Sequence, residues 1–335
     1  MNYIGSKHKL TSFLKSTIYS VVGNDLSNKI FCDIFAGTGI VGRNFKTEVK
    51  NIIANDFEYY SYVLIRNYIG NHKELKNASE YLIKLNALPL IDTGFVYKNY
   101  CTGSGSGRQY FSDFNGKKID SVRQQIEKWK NSGEISTDLY FFLLAGLLES
   151  SDKVANTASV YGAFLKHVKR TAQKELFIEP AMFTLNKNDH QVFNTNSNDL
   201  IKKISGDILY LDPPYNERQY GANYHILNTI ARYENFEPKG KTGLPVYKKS
   251  LYCSRASVLS EFEDLIKQAA FKYIFLSYNN EGLMSAEDVK KIMQKYGRYD
   301  IATTKYQRFK ADKDINRKYE AEGTEEYLHI LEKTV

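Results

Sequence analysis

The chain has 335 residues, 42% of them hydrophobic and 25% charged, and its formal net charge is +8. This length allows one large domain with an insertion or two domains, and the composition argues against wholesale disorder. No apolar run is long enough to cross a bilayer, and the first residues, MNYIGSKHKL, lack the apolar core of a secretion signal. The three cysteines lie far apart in the sequence and fit neither a zinc site nor a disulfide scaffold. We therefore expect a cytoplasmic protein with no membrane association and no bound metal.

The surplus of positive charge favours an anionic partner, of which nucleic acid is the commonest. The 26 tyrosines supply flat rings for base stacking and hydroxyls for phosphate contacts, although many must serve ordinary packing. A basic protein that binds no nucleic acid remains the alternative.

The first predicted elements form a βαβα unit. KIFCDIF at 29–35 and NIIAND at 51–56 are short apolar runs that predict buried strands, and GIVGRNFKTE between them predicts a short helix. FEYYSYVLIRNYIG, after the second strand, has apolar residues at helical spacing. This order is the start of a doubly wound parallel sheet.

A third strand of this kind, DILYLD at 207–212, follows only after a gap too long for a normal crossover. Helical patterns at 118–131 and 137–150 occupy the gap, and we expect an inserted, mainly helical subdomain over 72–195. Downstream we predict a helix near 222–233, a strand at 272–278, a helix over SAEDVKKIMQKY, and final strands near 299–307 and 325–332. The expected fold class is α/β, with a doubly wound, mostly parallel sheet and a terminal antiparallel hairpin.

The turn after the first strand contains GTGIVG, with Gly37, Gly39 and Gly42 in the pattern G-x-G-x-x-G. This pattern is typical of a dinucleotide-binding turn, and a nicotinamide oxidoreductase is therefore one hypothesis. The six residues alone are weak evidence, so the rest of the chain must decide.

The segment LYLDPPYNERQY at 209–220 is the strongest functional motif, because its strand ends on Asp212. Open α/β sheets place their chemistry at the carboxyl ends of strands. Pro213 and Pro214 fix the backbone and remove two N–H donors, which leaves a rigid turn with carbonyl acceptors, a carboxylate and the ring of Tyr215. Such a turn suits a planar ring with an exocyclic amino group, which would donate to Asp212 and a proline carbonyl and stack on Tyr215. The alternative is an ordinary rigid turn in which Asp212 is a cap and Tyr215 packs.

Four motifs in order carry a resemblance to a known family: NYIGSKHKL, DIFAGTGIVG, NDFEYYS and DPPYN, with a long insertion before the last. The chain resembles the D12 class (the Dam-like, alpha class) of adenine-N6 DNA methyltransferases over most of its length. SSDKVANTASVYGAFLK in the insertion is similar to members of modification systems with short recognition sites.

The resemblance implies an S-adenosylmethionine methyltransferase fold, with a catalytic domain at 1–71 and 196–335 and a target-recognition subdomain at 72–195. It implies methyl transfer from S-adenosylmethionine to a flipped-out adenine in double-stranded DNA, within a restriction-modification system. A cognate restriction endonuclease that acts separately is a candidate partner, and we expect a monomer.

S-adenosylmethionine and dinucleotides both need a close backbone approach after the first strand, so the glycines alone do not separate the two ligands. In the family, the positions matching Asp33, Phe35, Gly37 and Gly39 line the methionine part of the donor, and Asp56 takes the ribose hydroxyls. The resemblance also places Tyr3, Lys7 and Phe57 at the cofactor, and Asp199 at its adenine amino group. A helix N-cap role is an equal alternative for Asp199. The catalytic residues implied by the resemblance are Asp212, Pro213, Pro214 and Tyr215.

Candidate DNA contacts are basic or aromatic residues of the insertion and of the segments after the DPPY motif. They are Arg108, Tyr110, Lys166, Lys169, Arg170, Arg218, Tyr220, Lys248 and Lys249. A solvated surface is an equal alternative for the basic stretches, and core packing is one for Tyr220.

Three other functions remain open. One is an amino-group methyltransferase acting on RNA or on a protein glutamine; Asp rather than Asn or Ser before Pro-Pro favours adenine N6 over a glutamine amide or cytosine N4. Another is an inactive nucleic-acid-binding protein, which would need a damaged motif. The nicotinamide oxidoreductase leaves DPPYN unexplained.

Overall fold

The computed structural model describes residues 7–306 and 324–334. Its strands are β1 (Ile30–Asp33), β2 (Asn51–Asn55), β3 (Gln191–Phe193), β4 (Ser205–Leu211), β5 (Ala270–Asn279), β6 (Gly297–Tyr306) and β7 (Thr324–Lys333). They form one seven-stranded sheet in the order β3-β2-β1-β4-β5-β7-β6. Strands β1 to β5 pair in parallel, whereas β7 is antiparallel to both β5 and β6. The fold class expected from the sequence is confirmed.

Helices alternate with the strands along the chain, and several of them lie in the long segment between β2 and β3. They are α1 (Thr11–Val22), α2 (Ile40–Phe45), α3 (Tyr59–Ile65), α4 (Ala78–Asn86), α5 (Phe95–Tyr100), α6 (Asp113–Asn131), α7 (Thr137–Val154), α8 (Ser197–Leu200), α9 (Tyr220–Asn223), α10 (His225–Arg232), α11 (Val258–Gln268) and α12 (Ala286–Gln294). None of the helices in the described part of the chain combines the length and the hydropathy that a membrane span requires.

The chain divides into two compact units. The sheet unit contains Lys7–Phe57, Asn188–Gln219 and the described residues from Lys249 onward, and the helical unit contains Glu58–Lys187 and Tyr220–Lys248. The helical unit therefore begins before the expected subdomain at 72–195 and includes a second segment that the sequence analysis placed outside it.

The hydrophobic core of the helical unit explains where α3 belongs. Tyr60, Val63 and Leu64 of α3 are buried, and they share one apolar cluster with residues of α7 and α10. A helix that is apolar over most of its circumference is stable only when it is surrounded by other elements. Its burial among helices places α3 in the helical unit, although the sequence pattern suggested a crossover helix of the sheet.

The register of the parallel strands brings four polar residues to one edge of the sheet unit. Asp33 ends β1 and pairs with Ala54 of β2 and Tyr210 of β4. Asp56, Asn194 and Asp212 directly follow β2, β3 and β4. The carboxyl ends of parallel strands are where open α/β sheets bind ligands, so this edge is the candidate site.

Candidate active site

The turn between β1 and α2 depends on two glycines with left-handed backbone. Gly37 has φ 54° and Gly39 has φ 76°, a region that glycine adopts without the steric cost of a side chain. The backbone N–H of Gly37 donates to Oδ2 of Asp56 over 2.8 Å. This hydrogen bond links Asp56, which follows β2, to the turn that follows β1, so the predicted cofactor positions Gly37 and Asp56 are in direct contact.

Asp33 has a buried carboxyl group of which one oxygen accepts a hydrogen bond and the other does not. Its Oδ2 accepts a hydrogen bond from the backbone N–H of Gly42 over 3.2 Å, whereas Oδ1 is buried with no hydrogen-bond partner in the described chain. Burial raises the pKa of Asp33 to about 8; the Gly42 bond opposes this, and Asp212 and Asp56 add to it. A buried acceptor without a donor is costly, so this oxygen suits a ligand that brings N–H groups.

The edge formed by β2 and β3 carries a residue that the sequence analysis missed. The side-chain amide of Asn194 donates to the backbone carbonyls of Asp56, at 2.8 Å, and Phe57, at 3.1 Å. Asp199, the predicted contact, lies in α8 with an exposed side chain, and the helix cap is the side chain of Asn196. The N-cap alternative for Asp199 is therefore wrong. Strand β3 has three residues, too few to show a pattern that would have revealed Asn194.

Packing holds the predicted aromatic residues of the sheet unit. The half-buried ring of Phe35 lies edge-to-face on Tyr252, with 5.0 Å between centroids. In the DPPY turn the ring of Tyr215 lies edge-to-face on Tyr278 at 5.9 Å, and its carbonyl accepts from the N–H of Leu283 over 3.0 Å. These contacts fix the turn but leave Tyr215 only half-buried.

Asp212 follows β4 directly, ahead of the buried Pro213 and the half-buried Pro214. Its Oδ1 forms an ion pair with Nζ of Lys7 over 3.2 Å and accepts no hydrogen bond from any other described residue. Burial raises the pKa of Asp212 to about 6, against the opposing charge of Lys7 and with a further increase from Glu326. Because this pKa lies below neutral, the group is a carboxylate at neutral pH, and its Oδ1 can accept from an incoming N–H donor beside the Lys7 contact.

Lys7 lies at the start of the described chain and is 3% exposed. Its ammonium is 2.6 Å from Oε1 of Glu326 and 5.2 Å from the ring centroid of Tyr215. Burial alone would lower the pKa of Lys7, but Asp212, Tyr215 and Glu326 raise it well above its usual value. The structure thus brings Lys7 next to Asp212. Tyr3, the other N-terminal prediction, lies outside the described residues.

Glu326 of β7 did not figure in the sequence analysis. It is 4% exposed and alternates in phase with Leu328 and Ile330, which are also buried. An acid at a core position of a strand requires a charged or hydrogen-bonding partner, and that phase is the signal that could have found it.

Three of the predicted DNA contacts are engaged inside the helical unit. The guanidinium of Arg108 donates to the carbonyls of Asn99, Pro238 and Gly240 at 3.3, 3.2 and 3.0 Å. Tyr110 is fully buried, and its hydroxyl donates to the carbonyl of Tyr161. The ammonium of Lys169 donates to the carbonyl of Thr157 over 2.7 Å. These contacts favour structural roles for all three.

The remaining candidates differ in exposure. Tyr220 is half-buried and stacks on Tyr224 with 6.1 Å between ring centroids, which favours the packing alternative. The other side chains are exposed, as either phosphate contacts or a solvated surface would be: Lys166, Arg170, Arg218, Lys248 and Lys249.

Comparison with known proteins decides between the open functions. The family model for D12 class N6 adenine-specific DNA methyltransferases matches residues 3–301. The chain belongs to this family. The methyltransferase is 63% identical over 334 residues to the Type II methyltransferase M.NlaIII of Neisseria lactamica, with both chains fully covered. It is 38% identical over 312 residues to the Type II methyltransferase M.CviAII of Paramecium bursaria Chlorella virus 1, with 93% of each chain covered. The Type II methyltransferase M.FokI of Planomicrobium okeanokoites is 36% identical over all of this chain and 53% of its own.

Membership of this family makes the protein an adenine-specific methyltransferase, for which a methyl donor is required. The nicotinamide, RNA-directed and inactive alternatives find no support among these relatives.

Proposed function

We propose that this methyltransferase transfers a methyl group from S-adenosylmethionine to N6 of a flipped-out adenine in double-stranded DNA and protects the DNA within a restriction-modification system. The observation that carries the proposal is the buried Oδ1 of Asp212 in the rigid turn after β4, which contacts the ammonium of Lys7 and accepts from no other described residue. The names of the relatives support a modification role, with a cognate endonuclease as a separate partner.

The residues at the sheet edge fit the proposed cofactor. The orphaned Oδ1 of Asp33 suits the ammonium of a methionine moiety, and the carboxylate of Asp56 suits a ribose diol. When bound, S-adenosylmethionine supplies an electrophilic methyl group on a cationic sulfonium. We also propose that the cofactor contacts Tyr3, Phe35 and Phe57.

Asp212 is the residue we assign to the chemical step. The adenine amino nitrogen is a poor nucleophile because its lone pair is delocalised into the ring. Hydrogen bonds from its two N–H groups to Asp212 and to the Pro213 carbonyl draw the nitrogen toward a tetrahedral arrangement. Positive charge would develop on the nitrogen as its bond to the methyl carbon forms and the bond of that carbon to sulfur breaks, and a carboxylate stabilises that charge more in the transition state than in the ground state. The nitrogen would become neutral again by releasing one of its two protons.

Tyr215 is assigned to holding the extruded base. Flipping a base out of a duplex costs a few kcal/mol, and stacking on an aromatic ring returns ~1–3 kcal/mol. The ring is braced by Tyr278 and remains partly exposed, as a stacking platform requires.

We assign catalysis to the sheet unit and target recognition to the helical unit. The exposed side chains of Lys166, Arg170, Arg218, Lys248 and Lys249 are the proposed phosphate contacts. Arg108 acts indirectly in this proposal, because its guanidinium ties together the turn at Pro238 and Gly240 that precedes Lys248.

The test is transfer of tritiated methyl groups to duplex DNA, structured RNA and a mixture of proteins, with Asp212→Ala as the control. We expect label in N6-methyladenine of the duplex alone, and none with the variant. Label in RNA or protein instead of DNA, or label on cytosine, would contradict the proposal.

A further inference from the structure

Resting on this function, we propose that Glu326 is a positioning residue: it takes the shorter ion pair of the Lys7 ammonium and so limits the contact of Lys7 with Asp212, which leaves the Asp212 carboxylate able to accept from the target amino group. Glu326 touches no substrate in this proposal and acts only through Lys7.

The distances around Lys7 carry the inference. Its Nζ forms ion pairs with both acids, at 2.6 Å from Oε1 of Glu326 and 3.2 Å from Oδ1 of Asp212, so the ammonium lies closer to Glu326. Charge-assisted bonds of this kind are strongest when they are short, so the contact with Glu326 is the stronger of the two. The same oxygen of Glu326 also accepts from the hydroxyl of Ser277 over 3.1 Å, which fixes the carboxylate on β5 and β7.

Packing does not explain an acid at this position. Glu326 is 4% exposed and lies in phase with buried Leu328 and Ile330, where an apolar residue would fill the same space. Buried ion pairs commonly add little or nothing to stability compared with apolar residues of similar volume. A role in the neighbouring site accounts for the retained charge.

Loss of the Glu326 charge has a predictable sign. The titratable groups that bear on Asp212 are Lys7, Glu326, Asp33 and the two tyrosines that flank it along the chain, Tyr210 and Tyr215. Glu326 raises the pKa of Asp212 and Lys7 lowers it. Without the Glu326 charge, the ammonium of Lys7 moves closer to Asp212. The loss of the Glu326 charge and the closer ammonium each lower the pKa of Asp212. Asp212 then ionises more readily, but its Oδ1 is bound to the Lys7 ammonium and no longer accepts from the target amino group.

The experiment compares Glu326→Gln with Glu325→Gln, since Glu325 is an exposed neighbour on the same strand. For Glu326→Gln we expect kcat about tenfold lower and the acid limb of the kcat/KM pH profile about one pH unit lower, with KM for S-adenosylmethionine little changed. Glu326→Asp, which keeps the charge, should restore the limb. Ser277→Ala should shift the acid limb in the same direction by a smaller amount. This variant tests the inference if Glu326→Gln does not fold.

A Glu326→Gln enzyme with the wild-type pH limb and kcat would overturn the inference. So would a variant that loses thermal stability while its limb stays in place, because that result describes a purely structural residue. Failure of the proposed function is distinguishable, since the wild-type enzyme would then fail to methylate adenine at any pH.

Discussion

The hydrogen bond of 2.8 Å from the Gly37 amide to Asp56 joins the first turn of the sheet unit to the acid after the second strand. The bond couples the two positions, because Gly37 has φ 54° in the turn between β1 and α2 and Asp56 directly follows β2. The cofactor positions that the sequence places 19 residues apart are thus a single rigid arrangement.

Gly37→Ala should therefore weaken S-adenosylmethionine binding as well as the fold. A side chain in this backbone conformation costs roughly 1–2 kcal/mol, and the strain is relieved only by moving the amide that holds Asp56. Calorimetric titration and thermal unfolding measure the two effects. Gly23→Ala is the matched control, with φ 110° and open space around the added Cβ, and it should lose stability without losing donor affinity. Equal donor binding by both variants would remove Gly37 from the cofactor site.

Asp33→Asn should stabilise the free enzyme while it weakens donor binding. The folded pKa of Asp33 is about 8, above the ordinary value of 3.8, so folding favours the protonated carboxyl. The contribution of this carboxyl group to the free energy of unfolding is largest at low pH. It falls as pH rises from the ordinary pKa of 3.8 to the folded pKa of about 8. Asparagine keeps an acceptor for the Gly42 amide and does not ionise.

Thermal unfolding of Asp33→Asn and wild type across this range is the measurement. The advantage of the variant should grow toward alkaline pH, and saturating S-adenosylmethionine should raise the wild-type Tm more than that of the variant. An advantage that is constant with pH would mean that the buried carboxyl does not titrate as we infer.

The positions of four parallel strands were predictable because each is a run of apolar residues with a clear end. The runs at 29–35, 51–56, 207–212 and 272–278 each overlap a strand of the sheet. The short β3 escaped because its pairing with β2 determines it, rather than any hydrophobic period of its own. The packing of helix α3 in the helical core was not predictable for a related reason: periodicity shows that a helix face is apolar, but not which hydrophobic core buries it.

The site was predictable where a residue's role follows from its place at a strand end. Asp33, Asp56 and Asp212 lie at the carboxyl edge of neighbouring strands as the motif order implied. Glu326 was not predictable in this way, because its partner Lys7 lies 319 residues away in the sequence and only the fold brings them together. The assigned roles of these residues stay predictions.

The kcat/KM of the wild-type enzyme should fall as pH drops below about 6. The pKa of Asp212 is raised to that value, and protonation removes the acceptor that the target amino group requires. Steady-state methyl transfer across the acid range locates the limb. A limb at the ordinary pKa of an aspartate, with the fold intact, would show that a group other than Asp212 sets it.

DNA affinity should fall log-linearly with salt, because phosphate contacts release counterions. Replacing both Lys248 and Lys249 by alanine should reduce the salt slope by about 2 and weaken all sequences alike. Lys169→Ala is the control: its ammonium bonds to the Thr157 carbonyl, so stability should fall while the slope stays unchanged. A slope that is unaffected by the double variant would assign the two exposed lysines to a solvated surface.

The last prediction separates Asp212 from Tyr215. Asp212→Ala should abolish methyl transfer while S-adenosylmethionine and DNA still bind, and Asp212→Asn should retain at most a trace, since it loses the charge that stabilises the developing cation. Stacking needs a ring and no hydroxyl, so Tyr215→Phe should keep substantial activity and Tyr215→Ala should lose most of it. A target adenine in a mismatched pair is cheaper to flip, and it should partly rescue Tyr215→Ala but not Asp212→Ala. Tritiated methyl transfer to both duplexes is the measurement. Near wild-type transfer by Asp212→Ala, or a Tyr215→Phe enzyme as inactive as Tyr215→Ala, would show that the role assigned to that residue is wrong.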